Sequence, residues 1–282
     1  MFKSLVLASA AAALLSGAAS AADLPRRAAP PVFVPVPVFT WTGFYFGINA
    51  GYAYTESDTV RTTGINNLGS GAPNAANLQA NVDNGLRPAS LKLSQEGFSG
   101  GAQIGYNYQL TPGNGFVVGF EADAQYMDLE TTRVNSVPRV VLPSLTNTYR
   151  SDLQYLGTVR GRVGYAFDKV MVYGTGGFAY GGVEQSVSFQ TGAPVTYAGS
   201  RSTMETGYAY GGGIEYALPT DSFLNFFRSS AVTLKAEYLR YDLGSRNLFV
   251  GSTGGPGVGY NATFKTEGAI ARAGLNYKFG SY

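Results

Sequence analysis

Between residues 44 and 54 the chain reads FYFGINAGYAY, and its apolar residues fall on every second position. Phe44, Phe46, Ile48, Ala50, Tyr52 and Tyr54 share one register, while Tyr45, Gly47, Asn49, Gly51 and Ala53 share the other. Period two is the side-chain period of a β-strand, so the stretch presents a greasy aromatic face and a small, polar face. Any fold for this chain has to say what each face looks at.

The pattern recurs. Residues 97–110 set Phe98, Ala102, Ile104, Tyr106, Tyr108 and Leu110 against Ser99, Gly101, Gln103, Gly105, Asn107 and Gln109. Residues 116–126 alternate Phe116, Val118, Phe120, Ala122, Ala124 and Tyr126 with Val117, Gly119, Glu121, Asp123 and Gln125. Residues 153–167 place Leu153, Tyr155, Val159, Val163, Tyr165 and Phe167 opposite Gln154, Thr158, Arg160, Arg162 and Gly164. Segments 206–218, 231–243 and 268–279 follow the same rule, with Glu215, Lys235, Glu237 and Arg272 in the polar register. In residues 170–180 the glycines leave the facing open and allow a bulge. Eight candidate strands result, several longer than the roughly 9–11 residues that cross a bilayer at a tilt.

The connectors alternate too. Residues 111–115, 168–169 and 219–230 are short or moderate, whereas 55–96, 129–152, 181–205 and 244–267 are long. Charged residues make up only 13% of the chain, about half the share of a soluble domain. The expected fold is therefore all-β: an eight-stranded antiparallel up-and-down transmembrane β-barrel with short periplasmic turns and four long extracellular loops. A soluble barrel would also alternate, but with its apolar face inward and its charges toward water. Here the aromatic faces form one band suited to lipid, and the opposite faces hold glycines, amides and a few charges that fit a narrow lumen.

The first 21 residues read as a cleaved signal peptide, with Lys3, an apolar core over 5–15 and Ala19-Ser20-Ala21 at the cleavage site. Residues 22–40 are a proline-rich periplasmic tail, read as a spacer before the first strand. Residues 41–282 are the barrel.

By parity the lumen receives four acids, Glu121, Asp123, Glu215 and Glu237, and four bases, Arg160, Arg162, Lys235 and Arg272. Buried charges are tolerable when paired and hydrogen-bonded. The balanced set is expected to fill an interior that eight strands leave just wide enough for side chains. The competing reading makes the same charges a gate or an ion path.

WTGFYFGINAGYAY, YGTGGFAYG, GGGIEYAL, LKAEYLRYDLG and RAGLNYKF together resemble the Omp25/Omp31-type outer-membrane proteins of alphaproteobacteria, within the OmpA-like eight-stranded barrels (OMP_b-brl). The resemblance spans nearly all of the mature chain. It implies a surface protein of the outer membrane that stabilises the envelope, with porin and haemin-binding members among its relatives. The chain has no His, which removes a His-ligated haem. The closing strand looks like the signal read by the barrel-assembly machinery, through Arg272, Gly274, Tyr277 and Phe279.

The functional expectation is a structural barrel contributing to envelope integrity, surrounded by outer-membrane lipid and lipopolysaccharide. The alternative is a small porin, and the third reading is adhesion or ligand capture by the loops. No cofactor is expected. Without His or Cys the commonest general base, thiol nucleophile and metal ligands are missing, so an enzyme is not expected. A net charge of +2 gives no footprint for nucleic acid.

Overall fold

A computed structural model describes residues 38–56, 59–65, 78–139, 144–192, 194–219, 221–254 and 258–280. The signal peptide and the tail up to residue 37, and the terminal Tyr282, lie outside the described residues. Among the described residues ten strands form one antiparallel sheet. They are β1 (Gly43–Thr55), β2 (Thr59–Ile65), β3 (Ser90–Lys92), β4 (Glu96–Gln109), β5 (Asn114–Val137), β6 (Leu145–Phe167), β7 (Val170–Thr191), β8 (Val195–Ala217), β9 (Ala231–Ser252) and β10 (Gly259–Phe279). Among the described residues one helix, α1 (Leu78–Asp83), lies between β2 and β3.

The ten strands make eight staves. β1 pairs with β10 from Phe44↔Phe279 to Thr55↔Gly268, and β2 continues along β10 from Arg61↔Thr263 to Ile65↔Gly259. β2 is thus the upper half of the first stave, and β3, which pairs with β2, leads into β4 in the same way. Because β1 pairs with both β4 and β10, the sheet closes on itself along β1, whereas above it β3 pairs with β2 alone.

Side-chain parity sets the two surfaces. Along β1, residues 44, 46, 48, 50 and 52 are exposed, while residues 43, 45, 47, 49 and 53 are buried. The same split holds for β4 and for β7. In β7, Met171, Tyr173 and Ala179 point inward and Val172 and Phe178 outward, which resolves the facing of residues 170–180 without a bulge. The bulges lie elsewhere. One between Leu153 and Tyr155 reverses parity, so Leu153, expected on the outer face, is buried in the interior instead.

Much of the last three long connectors is strand. β5 and β6 stay paired out to Val137↔Leu145, and β7 and β8 out to Gln190↔Val195. The barrel wall therefore continues about ten residues past the aromatic band before it turns. The β8–β9 ladder is interrupted there, between Ala198↔Gly251 and Tyr208↔Asp242. Proline marks the punctuation: residues 88, 112, 138, 194 and 219 all fall outside the strands, where a missing N–H breaks no ladder. At the short-turn end, Asp168 sits at φ 53 in the two-residue β6–β7 turn and its N–H donates to Asn114 Oδ1 at 2.9 Å.

The interior is layered along the barrel axis. Nearest the short turns, Trp41, Val117, Ala166, Met171 and Ala217 form an apolar plug, with the Trp41 Nε1–H donating to the Asp168 carbonyl at 3.0 Å. A polar layer follows. Above it Met127, Leu129, Leu153, Leu156, Leu239 and Ile270 make a second apolar layer. At the far end α1 lays Leu78 and Val82 into the mouth against Tyr149, Phe189, Leu248 and Tyr260. Gln79 Oε1 accepts from the Gly64 N–H at 2.8 Å, and Asn81 donates to the Tyr260 hydroxyl at 3.0 Å, fixing the helix to the wall.

Candidate functional site: the charged layer of the lumen

The strand registers deliver the charges to one level. Glu121 lies directly opposite Arg160 on β5 and β6, Glu215 opposite Lys235 on β8 and β9, and Glu237 opposite Arg272 on β9 and β10. Directly opposed side chains on one face are neighbours. Curvature of the closed sheet then brings these pairs together across the lumen. All eight sequence-derived residues, Glu121, Asp123, Arg160, Arg162, Glu215, Lys235, Glu237 and Arg272, meet there, each between 0 and 6% exposed.

Arg160 is the centre. Its Nη2 lies 2.6 Å from Glu121 Oε1 and 2.7 Å from Asp123 Oδ2, and its Nη1 lies 3.1 Å from Glu237 Oε1. Lys235 Nζ bridges Glu121 at 2.6 Å and Glu237 at 3.4 Å. Arg272 donates from Nε to Glu237 Oε2 at 2.7 Å and reaches Asp123 Oδ2 at 3.3 Å. Arg162 joins Glu215, 2.8 Å away, to Glu121 at 3.5 Å. Each carboxylate has at least one cation, and four acids balance four bases.

Neutral groups complete the layer. The Tyr45 hydroxyl donates to Glu121 Oε2 at 2.8 Å and accepts from Arg162 Nη1 at 2.6 Å, while Tyr173 donates to Glu237 Oε1 at 3.0 Å. The Arg162 guanidinium lies 3.9 Å from the centroid of the Tyr173 ring, a cation–π contact. Thr158 donates to Asp123 at 2.7 Å, Thr233 donates to Glu215, and Asn276 donates to Glu215 at 2.8 Å. Parity alone did not single out these partners. Tyr45 and Tyr173 carry the missed signal: each is a large aromatic on the inward register directly opposite a glycine, Gly105 and Gly213. A Cβ on Gly105 would lie 2.4 Å from the Tyr45 hydroxyl, and one on Gly213 would lie 2.6 Å from the Tyr173 hydroxyl. The glycines are the space the two rings occupy.

The residues of the closing motif divide by parity. Arg272 joins the charged layer, and Gly274 pairs with Asn49 across the β1–β10 seam. Phe279 packs its ring on Phe46 at 5.4 Å, and Tyr277 packs on the same ring at 5.7 Å. Chemically the layer offers paired charges with every acid engaged by a base. Among the described residues no group of three or more His, Cys, Asp or Glu is placed to hold a metal ion.

Around this layer the outer surface carries a band of exposed apolar residues. Ile48, Ile104, Val118, Val159, Val163 and Ile214 occupy its middle. Phe44, Phe46, Tyr108, Phe116, Phe167 and Tyr216 ring the short-turn border, and Tyr52, Phe98, Tyr126, Tyr155, Phe178 and Tyr208 ring the other. Ten residues at about 3.4 Å each, tilted by about 45°, span roughly 24 Å, the height of an outer-membrane apolar band.

Comparison with known proteins agrees. The outer membrane protein β-barrel domain family matches residues 8–279. The 31 kDa outer-membrane immunogenic protein of Brucella melitensis is 35% identical over 281 residues, covering 98% of this chain and all of that protein. The 25 kDa outer-membrane immunogenic protein of Brucella abortus is 26% identical over 280 residues, 98% of each chain. Among solved structures, OprG from Pseudomonas aeruginosa aligns with a TM-score of 0.44 at 11% identity over 87% of this chain and all of that one. Neisserial surface protein A aligns with a TM-score of 0.35 at 16% identity over 84% and 98%. The chain belongs to the outer-membrane β-barrel protein family of these Brucella proteins, and the outer membrane is its location.

Proposed function

We propose that the protein is a closed, structural barrel that contributes to envelope integrity and presents its extended upper wall at the cell surface. The observation that carries this reading is the charged layer: eight buried charged side chains from β5, β6, β8, β9 and β10 cross-link those five staves at one level, with apolar layers on both sides. A path for ions would need a wet, continuous lumen, and each layer interrupts it. The names of the Brucella relatives, outer-membrane immunogenic proteins, fit a wall that stands clear of the membrane. We read the protein as non-catalytic, because the carboxylates of the charged layer are tied to cations rather than left to move protons. Outer-membrane lipid and lipopolysaccharide surround the band in this reading. The barrel-assembly machinery would take the last strand through Arg272, Gly274, Tyr277 and Phe279.

Deletion of the gene tests the role. The expected result is sensitivity to detergent and to large hydrophobic antibiotics, restored by the wild-type protein, with uptake of small solutes unchanged. A deletion that leaves the barrier intact but slows uptake of a small solute would replace the structural reading with the porin one.

A further inference from the structure

The turn between β8 and β9 stands apart from the other two turns at its end of the barrel. Residues 110–113 and 168–169 carry no aromatic side chain, whereas this one carries Phe223, Phe226 and Phe227 at 83%, 73% and 60% exposed. The first two are the most exposed large hydrophobic residues among those described.

Their exposure is built in. Asn225 clasps the turn from within: its Oδ1 accepts from the Ser229 N–H at 2.8 Å and its Nδ2 donates to the Ser229 carbonyl at 3.0 Å. The Ser222 N–H donates to the Pro219 carbonyl at 3.0 Å and the Asn225 N–H to the Ser222 carbonyl at 2.9 Å. The Tyr277 hydroxyl ties the turn to the barrel by donating to the Leu224 carbonyl at 2.9 Å. With these polar groups satisfied inside the turn, the aromatic rings are left facing out.

Phe227 joins the turn to an apolar surface already described. The Phe227 ring meets Tyr277 edge-on at 4.8 Å and Phe46 at 5.7 Å, and Phe46 stacks on Phe279. Phe46 and Phe279 belong to the outward aromatic ring at the periplasmic border of the lipid-facing band. The apolar face of the turn is therefore a continuation of the surface that meets lipid. Aromatic side chains are favoured at the membrane–water boundary, and the exposed Arg228 supplies a cation beside them suited to phosphate headgroups.

We propose that residues 221–228 are an interfacial foot, lying in the phospholipid headgroup region of the inner leaflet of the outer membrane with Phe223, Phe226 and Phe227 immersed. It holds the barrel at a fixed height and does not depend on whether the lumen conducts.

The test is tryptophan fluorescence of Phe223→Trp and, separately, Phe226→Trp, in full-length mature protein refolded into phosphatidylcholine–phosphatidylglycerol vesicles. The wild type supplies the baseline, since its one tryptophan, Trp41, is buried inside the barrel. The added emission is expected to be shifted to the blue. It should be quenched more by lipids brominated near the headgroup than by lipids brominated near the chain end, and be poorly reached by acrylamide. Emission at the water-exposed wavelength, quenched by acrylamide and indifferent to both brominated lipids, would overturn the proposal. A blue shift that disappears as the protein is diluted in lipid would overturn it too, by showing that a second copy covers the face. Two positions keep the test open if one variant fails to fold.

Discussion

Arg160 touches three carboxylates at once, so its removal is not the loss of a single contact. Arg160→Ala leaves Glu121, Asp123 and Glu237 short of a cation in a place water reaches poorly. Removing one member of a buried ion pair costs about 3–5 kcal/mol. The unfolding midpoint in urea, followed by heat-modified mobility on gels, should fall accordingly; an unchanged midpoint would mean that the layer does not bind the staves together. Glu205, on β8 above the outer ring of tyrosines, behaves differently. Burial raises its carboxyl above the ordinary range, outweighing the Thr266 hydroxyl and the pull of Arg201 and Arg246. The folded protein then keeps a proton that the unfolded chain loses from about pH 4 upward. Its stability is fullest below that pH and declines as pH rises through the raised value. Glu205→Gln should thus stabilise the protein at neutral pH, with the gain vanishing in acid, as equilibrium unfolding at two pH values would show. The eight charges were legible in the sequence because parity and register suffice to place them. Tyr45 and Tyr173 were not, because an aromatic on the inward face is interpretable only once the glycine opposite it is known.

At the scale of elements, the alternation gave each stave within the band and missed the length beyond it. Residues 129–152 and 181–205 are rich in polar residues and read as loops, yet 129–137, 145–152, 181–191 and 195–205 are strand. Their alternation survives in the pairing of Arg150 with Thr132 and of Val187 with Gly199. Bulges such as that at Leu153 and Tyr155 hide the pattern by shifting its phase, which is why Leu153 was expected on the wrong face. α1 is also invisible to periodicity, since six residues give less than two turns. It holds its place by what it buries. Leu78→Ala should remove about 2–5 kcal/mol of packing from the mouth. Hydrogen exchange should quicken at β2 and β3 while the amides of the band stay protected. Uniform loss of protection around the whole barrel would contradict a locally held helix.

The whole molecule is a stack: an apolar plug around Trp41, the charged layer, a second apolar layer and the helix-filled mouth. Outside, the aromatic rings border the band, and in the proposed reading the wall beyond it is the surface that the cell presents. In the proposed reading these four levels block the lumen, and the protein seals rather than conducts. The direct measurement is single-channel conductance of the refolded mature protein in a planar bilayer, with Arg160→Ala recorded beside it. The account predicts a silent wild type, whatever leak the variant admits. Steady, reproducible openings of the wild type, altered in size or selectivity by the variant, would contradict it and make the same charges the lining of a pore.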